Sequence, residues 1–138
     1  MEPFLGKWQS LPQNNVEFGA FLKATGMSQE QVEGYQKMNS EHPDIVTLTQ
    51  EGDQFKTHTV CGPVVIEHTF KLGQTFVETM PPENKQCKMT FNLVNGALED
   101  DTEMEGVKMK HSRTVSGDDM TMVMSAGGKS CIRMYKRI

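Results

Sequence analysis

Lys129-Ser130-Cys131-Ile132-Arg133-Met134-Tyr135-Lys136-Arg137-Ile138 closes the chain and reads as an extended strand. Side chains two apart project from one face of a strand, so Arg133 and Tyr135 set a guanidinium and a phenol side by side, with Cys131 on the same phase. Two more strands precede it, 108–115 and 120–125, punctuated by Ser116-Gly117-Asp118-Asp119 and by a Gly127-Gly128 hairpin turn. Met120, Met122 and Met124 share one phase. Alternation groups Arg113 with Met109, His111 and Val115. If these faces line an interior, Arg113, Arg133 and Tyr135 form a pocket suited to a carboxylate. Spacing alone leaves the register of Arg113 open. A buried guanidinium requires a partner, whether an acidic side chain, ordered water or an anionic ligand.

The same rhythm extends upstream. After Pro43, short runs at 44–50, 55–60, 64–72, 75–79, 85–93, 98–104 and 107–115 alternate with turn signals such as Glu51-Gly52-Asp53, Cys61-Gly62-Pro63, Gly73-Gln74, Asn95-Gly96 and Glu105-Gly106. Met80-Pro81-Pro82-Glu83-Asn84 interrupts the series once. With a first strand at 4–11, carrying Phe4 and Trp8 on one phase, the count is ten. Regular spacing and tight turns predict an antiparallel meander, and a sheet that long avoids exposed edges best by closing on itself. In 88–93 the apolar phase is Met89, Phe91 and Leu93, which should face inward.

Two helices interrupt the strands near the start. The first, at 15–24, places Phe18, Phe21 and Leu22 at helical spacing, and Gly26 ends it. The second opens on Ser28 as N-cap, with Gln31 as its capping-box partner and Met27 and Val32 as a staple. Val32, Tyr35 and Met38 give it one apolar side, and Gly34 weakens it by about 1 kcal/mol relative to alanine.

At 138 residues the chain fits one domain. A hydrophobic content of 36% is lean for a filled core, which a polar-lined or hollow interior would reconcile. A net charge of -4 without a basic stripe argues against nucleic acid. No signal peptide or membrane span is evident, and the odd set Cys61, Cys87 and Cys131 fits reduced thiols, so a cytoplasmic protein is expected. His42, His58, His68 and His111 are too dispersed for metal-ligand spacing, and no metal or cofactor is expected. The acidic run Glu99-Asp100-Asp101-Thr102-Glu103 lacks calcium-loop spacing and reads as a strand with a solvated face. With no nucleophile motif, phosphate loop or HExxH present, an enzyme is not expected.

Phe4-Leu5-Gly6-Lys7-Trp8, Val16-Glu17-Phe18, Thr69-Phe70-Lys71-Leu72-Gly73 and Arg133-Met134-Tyr135-Lys136 together resemble the intracellular fatty-acid-binding proteins of the calycin group, over essentially the whole chain. Arg113 lies 20 positions before Arg133, similar to members that hold a carboxylate with two arginines and a tyrosine. The resemblance implies an all-β, ten-stranded up-and-down clam barrel with a helix-turn-helix lid between the first and second strands, one lipid-binding domain spanning 1–138. It implies a carrier of a long-chain fatty acid, with Arg113, Arg133 and Tyr135 on the carboxylate. Phe18, Phe21 and Leu22 would form the portal side and Met122 and Met124 the alkyl wall, with Thr59, Phe76 and Met104 as weaker candidates. A monomer that touches membranes only transiently is the expectation. Retinoic acid or a bile acid as cargo, and a membrane- or protein-docking adaptor, are the alternatives. The chain departs from the pattern by two extra residues before the first helix. It also carries Cys61-Gly62-Pro63 at the tip where relatives often place a gating phenylalanine.

Overall fold

The computed structural model describes residues 1–80 and 84–138. Ten antiparallel strands follow the chain: β1 (Gly6–Ser10), β2 (Ile45–Glu51), β3 (Gln54–Cys61), β4 (Val64–Lys71), β5 (Phe76–Met80), β6 (Lys85–Val94), β7 (Ala97–Met104), β8 (Val107–Ser116), β9 (Asp119–Ala126) and β10 (Lys129–Arg137). They form one sheet in the order β4-β3-β2-β1-β10-β9-β8-β7-β6-β5. Each strand pairs with its sequence neighbours with one exception, and one pairing is added. The first strand pairs with the last, Ser10 opposite Tyr135, which closes the sheet. No ladder joins β4 to β5, so the barrel keeps one seam. Across that seam His68 of β4 and Glu78 of β5 are joined by a side-chain hydrogen bond. Part of the predicted interruption after Met80 lies outside the described residues, and Met80 itself is the last residue of β5.

Helices α1 (Phe18–Ala24) and α2 (Gln29–Glu41) lie between β1 and β2. The capping box forms as read: Gln31 N–H donates to Ser28 Oγ, and Ser28 N–H donates to the Gln31 side chain. The first helix starts later than the expected residue 15. Val16 is instead extended and exchanges two backbone hydrogen bonds with Ile132 on β10, and Glu17 then turns the chain at φ 59° into the helix. Two backbone bonds to β10 outweigh one more helical turn whose first N–H groups would lack partners. The first strand is likewise shorter than 4–11, because Glu2–Phe4 is a 3-10 turn. That turn is tied down by Trp8 Nε1 donating to the Phe4 carbonyl and by Arg137, which lies over the Trp8 ring and donates to the carbonyls of Pro3 and Leu5.

The core is concentrated on the inner face. Phe55, Phe70, Phe76 and Phe91 stack, with the Phe70 and Phe91 centroids 4.0 Å apart. Phe55 and Phe70 pair six residues from the β3–β4 tip, about 20 Å along the hairpin from the tip that α2 covers. Leu93 does not join them. It shares the phase of Met89 and Phe91 but is 42% exposed, one residue from the end of β6, where the strand has run past the packed part of the barrel.

Candidate ligand site in the barrel interior

The registers of the last three strands settle which side chains share a face. Arg113 on β8 stands opposite Met122 on β9, and Met122 stands opposite Arg133 on β10. Directly opposed residues project to one side of a sheet, and Met122 is buried, so both guanidiniums point inward in a single row. Two strand spacings separate their backbones by roughly 10 Å. Tyr135 lies one inward step further along β10, opposite Met120. Met120, Met122 and Met124 are all buried on this face.

The interior is incompletely filled. Met109, His111, Arg113 and Val115 face inward on β8, yet each is only partly buried, as are Thr57 and Thr59 on β3. Side chains on the inner face of a nearly closed barrel retain accessible surface only if unfilled space adjoins them.

Each arginine has an acidic partner within the chain. Arg113 NH1 donates to Asp100 Oδ2 at 2.9 Å, and the Asp100 side chain is 0% exposed. Asp100 also accepts from Thr102 Oγ1 and contacts His111 Nδ1 at 2.7 Å. Burial pushes the Asp100 carboxyl upward, but its hydrogen bond with His111 and the Arg113 charge overcome that and hold it well below the usual carboxylate range. The acidic run is therefore not uniformly solvated: Asp101 and Glu103 face out, while Asp100 and Thr102 alternate inward and are buried. Arg133 NH1 lies 3.3 Å from Asp44 Oδ2, and NH2 donates to Asn39 Oδ1 of α2 at 3.1 Å. Asn39 in turn donates to Asp44, and the Asp44 backbone N–H donates to Ser10 Oγ. The Phe18 ring of α1 sits 4.6 Å from the Arg133 guanidinium carbon, and Phe18 meets Tyr35 edge-to-face. The lid is thus fastened to the barrel floor through Arg133.

Two polar atoms here lack partners. Arg133 Nε is buried without a hydrogen bond, and the Tyr135 hydroxyl has no partner among the described residues. Burial raises the Tyr135 phenol, which leaves it a neutral donor. Burial also pushes the Cys61 thiol, which lies against Asp44 and Tyr35, up to about 12, and the Cys87 and Cys131 thiols to about 11. All three are buried and free.

Of the other residues named from sequence, Phe18, Phe21 and Leu22 are buried on α1, Met124 is on the inner face of β9, and Thr59, Phe76 and Met104 are inward and partly buried. At the β3–β4 tip, Gly62 lies under α2, and a Cβ there would stand 3.3 Å from the Met38 side chain. Sequence reasoning missed Asn39, Asp44 and Asp100. Asp100 could have been found by its phase, two residues from Leu98 and Thr102, whereas nothing local marks Asp44 as a partner for a residue 89 positions away.

No family model matches the chain. Curated and solved relatives do, from end to end. A liver fatty acid-binding protein from Schroederichthys bivius is 25% identical over 135 residues, covering 98% of each chain. A fatty acid-binding protein from Schistosoma mansoni, solved in complex with arachidonic acid, superposes with a TM-score of 0.85 at 26% identity, covering 100% of this chain and 98% of the other. The chain has the fold of the fatty-acid-binding proteins. Fatty-acid-binding protein 1 from Echinococcus granulosus matches with a TM-score of 0.86 over 100% of this chain and 99% of its own, at 21% identity, a likeness of fold. These fatty-acid-binding proteins are a non-enzymatic family. No helix among the described residues is long and apolar enough to cross a membrane.

Proposed function

We propose that the chain, as a single lipid-binding domain, is a carrier that reversibly holds one long-chain fatty acid inside the barrel. Its carboxylate would lie between Arg113 and Arg133 and accept a hydrogen bond from the Tyr135 hydroxyl. The observation that carries this reading is the inward row Arg113, Met122, Arg133 beside an unpartnered phenol, in an interior that is not filled. The names of the relatives point the same way. Met122 and Met124 supply flexible, polarizable walls for an alkyl chain, and Phe18, Phe21 and Leu22 supply the underside of the lid. Each methylene brought out of water contributes about 0.8 kcal/mol, so the chain drives affinity while the head fixes orientation. We place this carrier in the cytoplasm as a monomer that meets membranes only to exchange cargo.

Titration with a fluorescent long-chain fatty acid should saturate at one site per chain. Arg113→Gln should weaken binding at least tenfold while the thermal midpoint shows the protein still folded, because a charge-assisted bond to a carboxylate is worth about 1.5–3 kcal/mol. Unchanged affinity in a folded Arg113→Gln, with Arg133→Gln also without effect, would sink the carboxylate model.

A further inference from the structure

The guanidiniums at the proposed head-group site are neutralised before any ligand arrives. Arg113 and Arg133 contribute two positive charges, and their partners Asp100 and Asp44 contribute two negative ones, for a sum of zero. Both carboxylates are withdrawn from solvent: the Asp100 and Asp44 side chains are 0% and 7% exposed. They are also locked in place, Asp100 by Thr102 and His111, Asp44 by Asn39 and by its own backbone bond to Ser10.

A fatty-acid carboxylate entering this site adds one uncompensated negative charge to a low-dielectric volume and shares each guanidinium with a resident aspartate. A hydroxyl or a primary amide adds none. It can accept from the free Tyr135 hydroxyl and from the Arg113 N–H groups that Asp100 does not engage. We propose that Asp44 and Asp100 determine head-group selectivity, and that the barrel takes neutral-headed long-chain lipids, alcohols and primary amides, about as readily as the fatty acid of the same chain. The inference rests on the reading of the interior as a lipid site and concerns which head that site accepts.

Displacement of the neutral dye Nile red at neutral pH by oleate, oleyl alcohol and oleamide tests it, since the three share one alkyl chain. In the wild-type protein the three dissociation constants should agree within about tenfold, a free-energy spread of about 1.4 kcal/mol. Asp100→Asn and Asp44→Asn, each checked for folding by circular dichroism, should shift the ratio toward oleate by about tenfold or more, because each frees a guanidinium for an anion. A wild-type preference for oleate over oleyl alcohol beyond about a hundredfold overturns the proposal, as does an unmoved ratio in both folded variants. If neither variant folds, the wild-type ratio decides alone. Failure of all three lipids to displace the dye overturns the carrier reading itself, a result distinct from binding with a strong preference for the acid.

Discussion

Asp100 shows how one side chain can govern both stability and site. Its carboxylate is fully enclosed, yet it is held ionised by Arg113, His111 and Thr102. A carboxyl whose folded pKa lies below its unfolded value of about 3.9 stabilises the fold above that pH, and the contribution fades as pH falls toward the folded value. Chemical denaturation of the wild-type chain should therefore show stability falling below about pH 4. Asp100→Asn should lower stability at pH 7 by about 3 kcal/mol, because Arg113 loses its partner, and should flatten that acid dependence. A variant as stable as wild type, with the same acid slope, would show that the cluster contributes nothing. Phase alone could assign Asp100 to the inner face with Leu98 and Thr102. Its pairing with Arg113 needed the β7–β8 register, in which Leu98 stands opposite Arg113 and His111 opposite Asp100. Alternation names a face without naming the neighbour across a ladder.

At the level of elements, punctuation was the readable signal. Ser28 and Gln31 announced α2, and every hairpin turn expected within the described residues joins two strands. Where local reading failed, a long-range partner had intervened: Val16 is drawn out of the expected helix by Ile132, 116 positions later. The contact between α2 and the β3–β4 tip is of the same long-range kind. Gly62 has φ 57° and would set a Cβ 3.3 Å from the Met38 Cγ and Sδ, whereas Gly52, at φ 64° in the β2–β3 turn, has nothing within 4 Å. Alanine at either position meets the left-handed backbone penalty of about 1 kcal/mol. Only Gly62→Ala should also displace Met38, so urea denaturation should find it less stable than Gly52→Ala. Equal losses would mean that Met38 yields freely and that the lid is not seated on this tip.

For the whole molecule, ten strands and a two-helix lid were legible because the period-two pattern, the turns and the helix cap agreed with one another. What could not be read was how the barrel closes, since closure depends on pairs far apart in sequence. One closure is a ladder, β1 with β10; the other is the seam between β4 and β5, where backbone pairing stops. Unpaired edges of this kind leave N–H and C=O groups without ladder partners, so side chains must hold the two edges together. His68 is 8% exposed and paired with Glu78 across that gap, which makes the pair the candidate fastener. A cycle comparing His68→Ala, Glu78→Ala and the double variant should return a coupling of about 1 kcal/mol, within the usual range for contacting residues. The structural consequence should be local. Amide exchange should quicken in β4 and β5, while the β1–β10 ladder, closed by backbone bonds, keeps its protection. Additive losses with unchanged exchange at the seam would show that β4 and β5 are held by apolar packing of Phe70 and Phe76 instead, whose stacked rings lie 6.3 Å apart across the same gap.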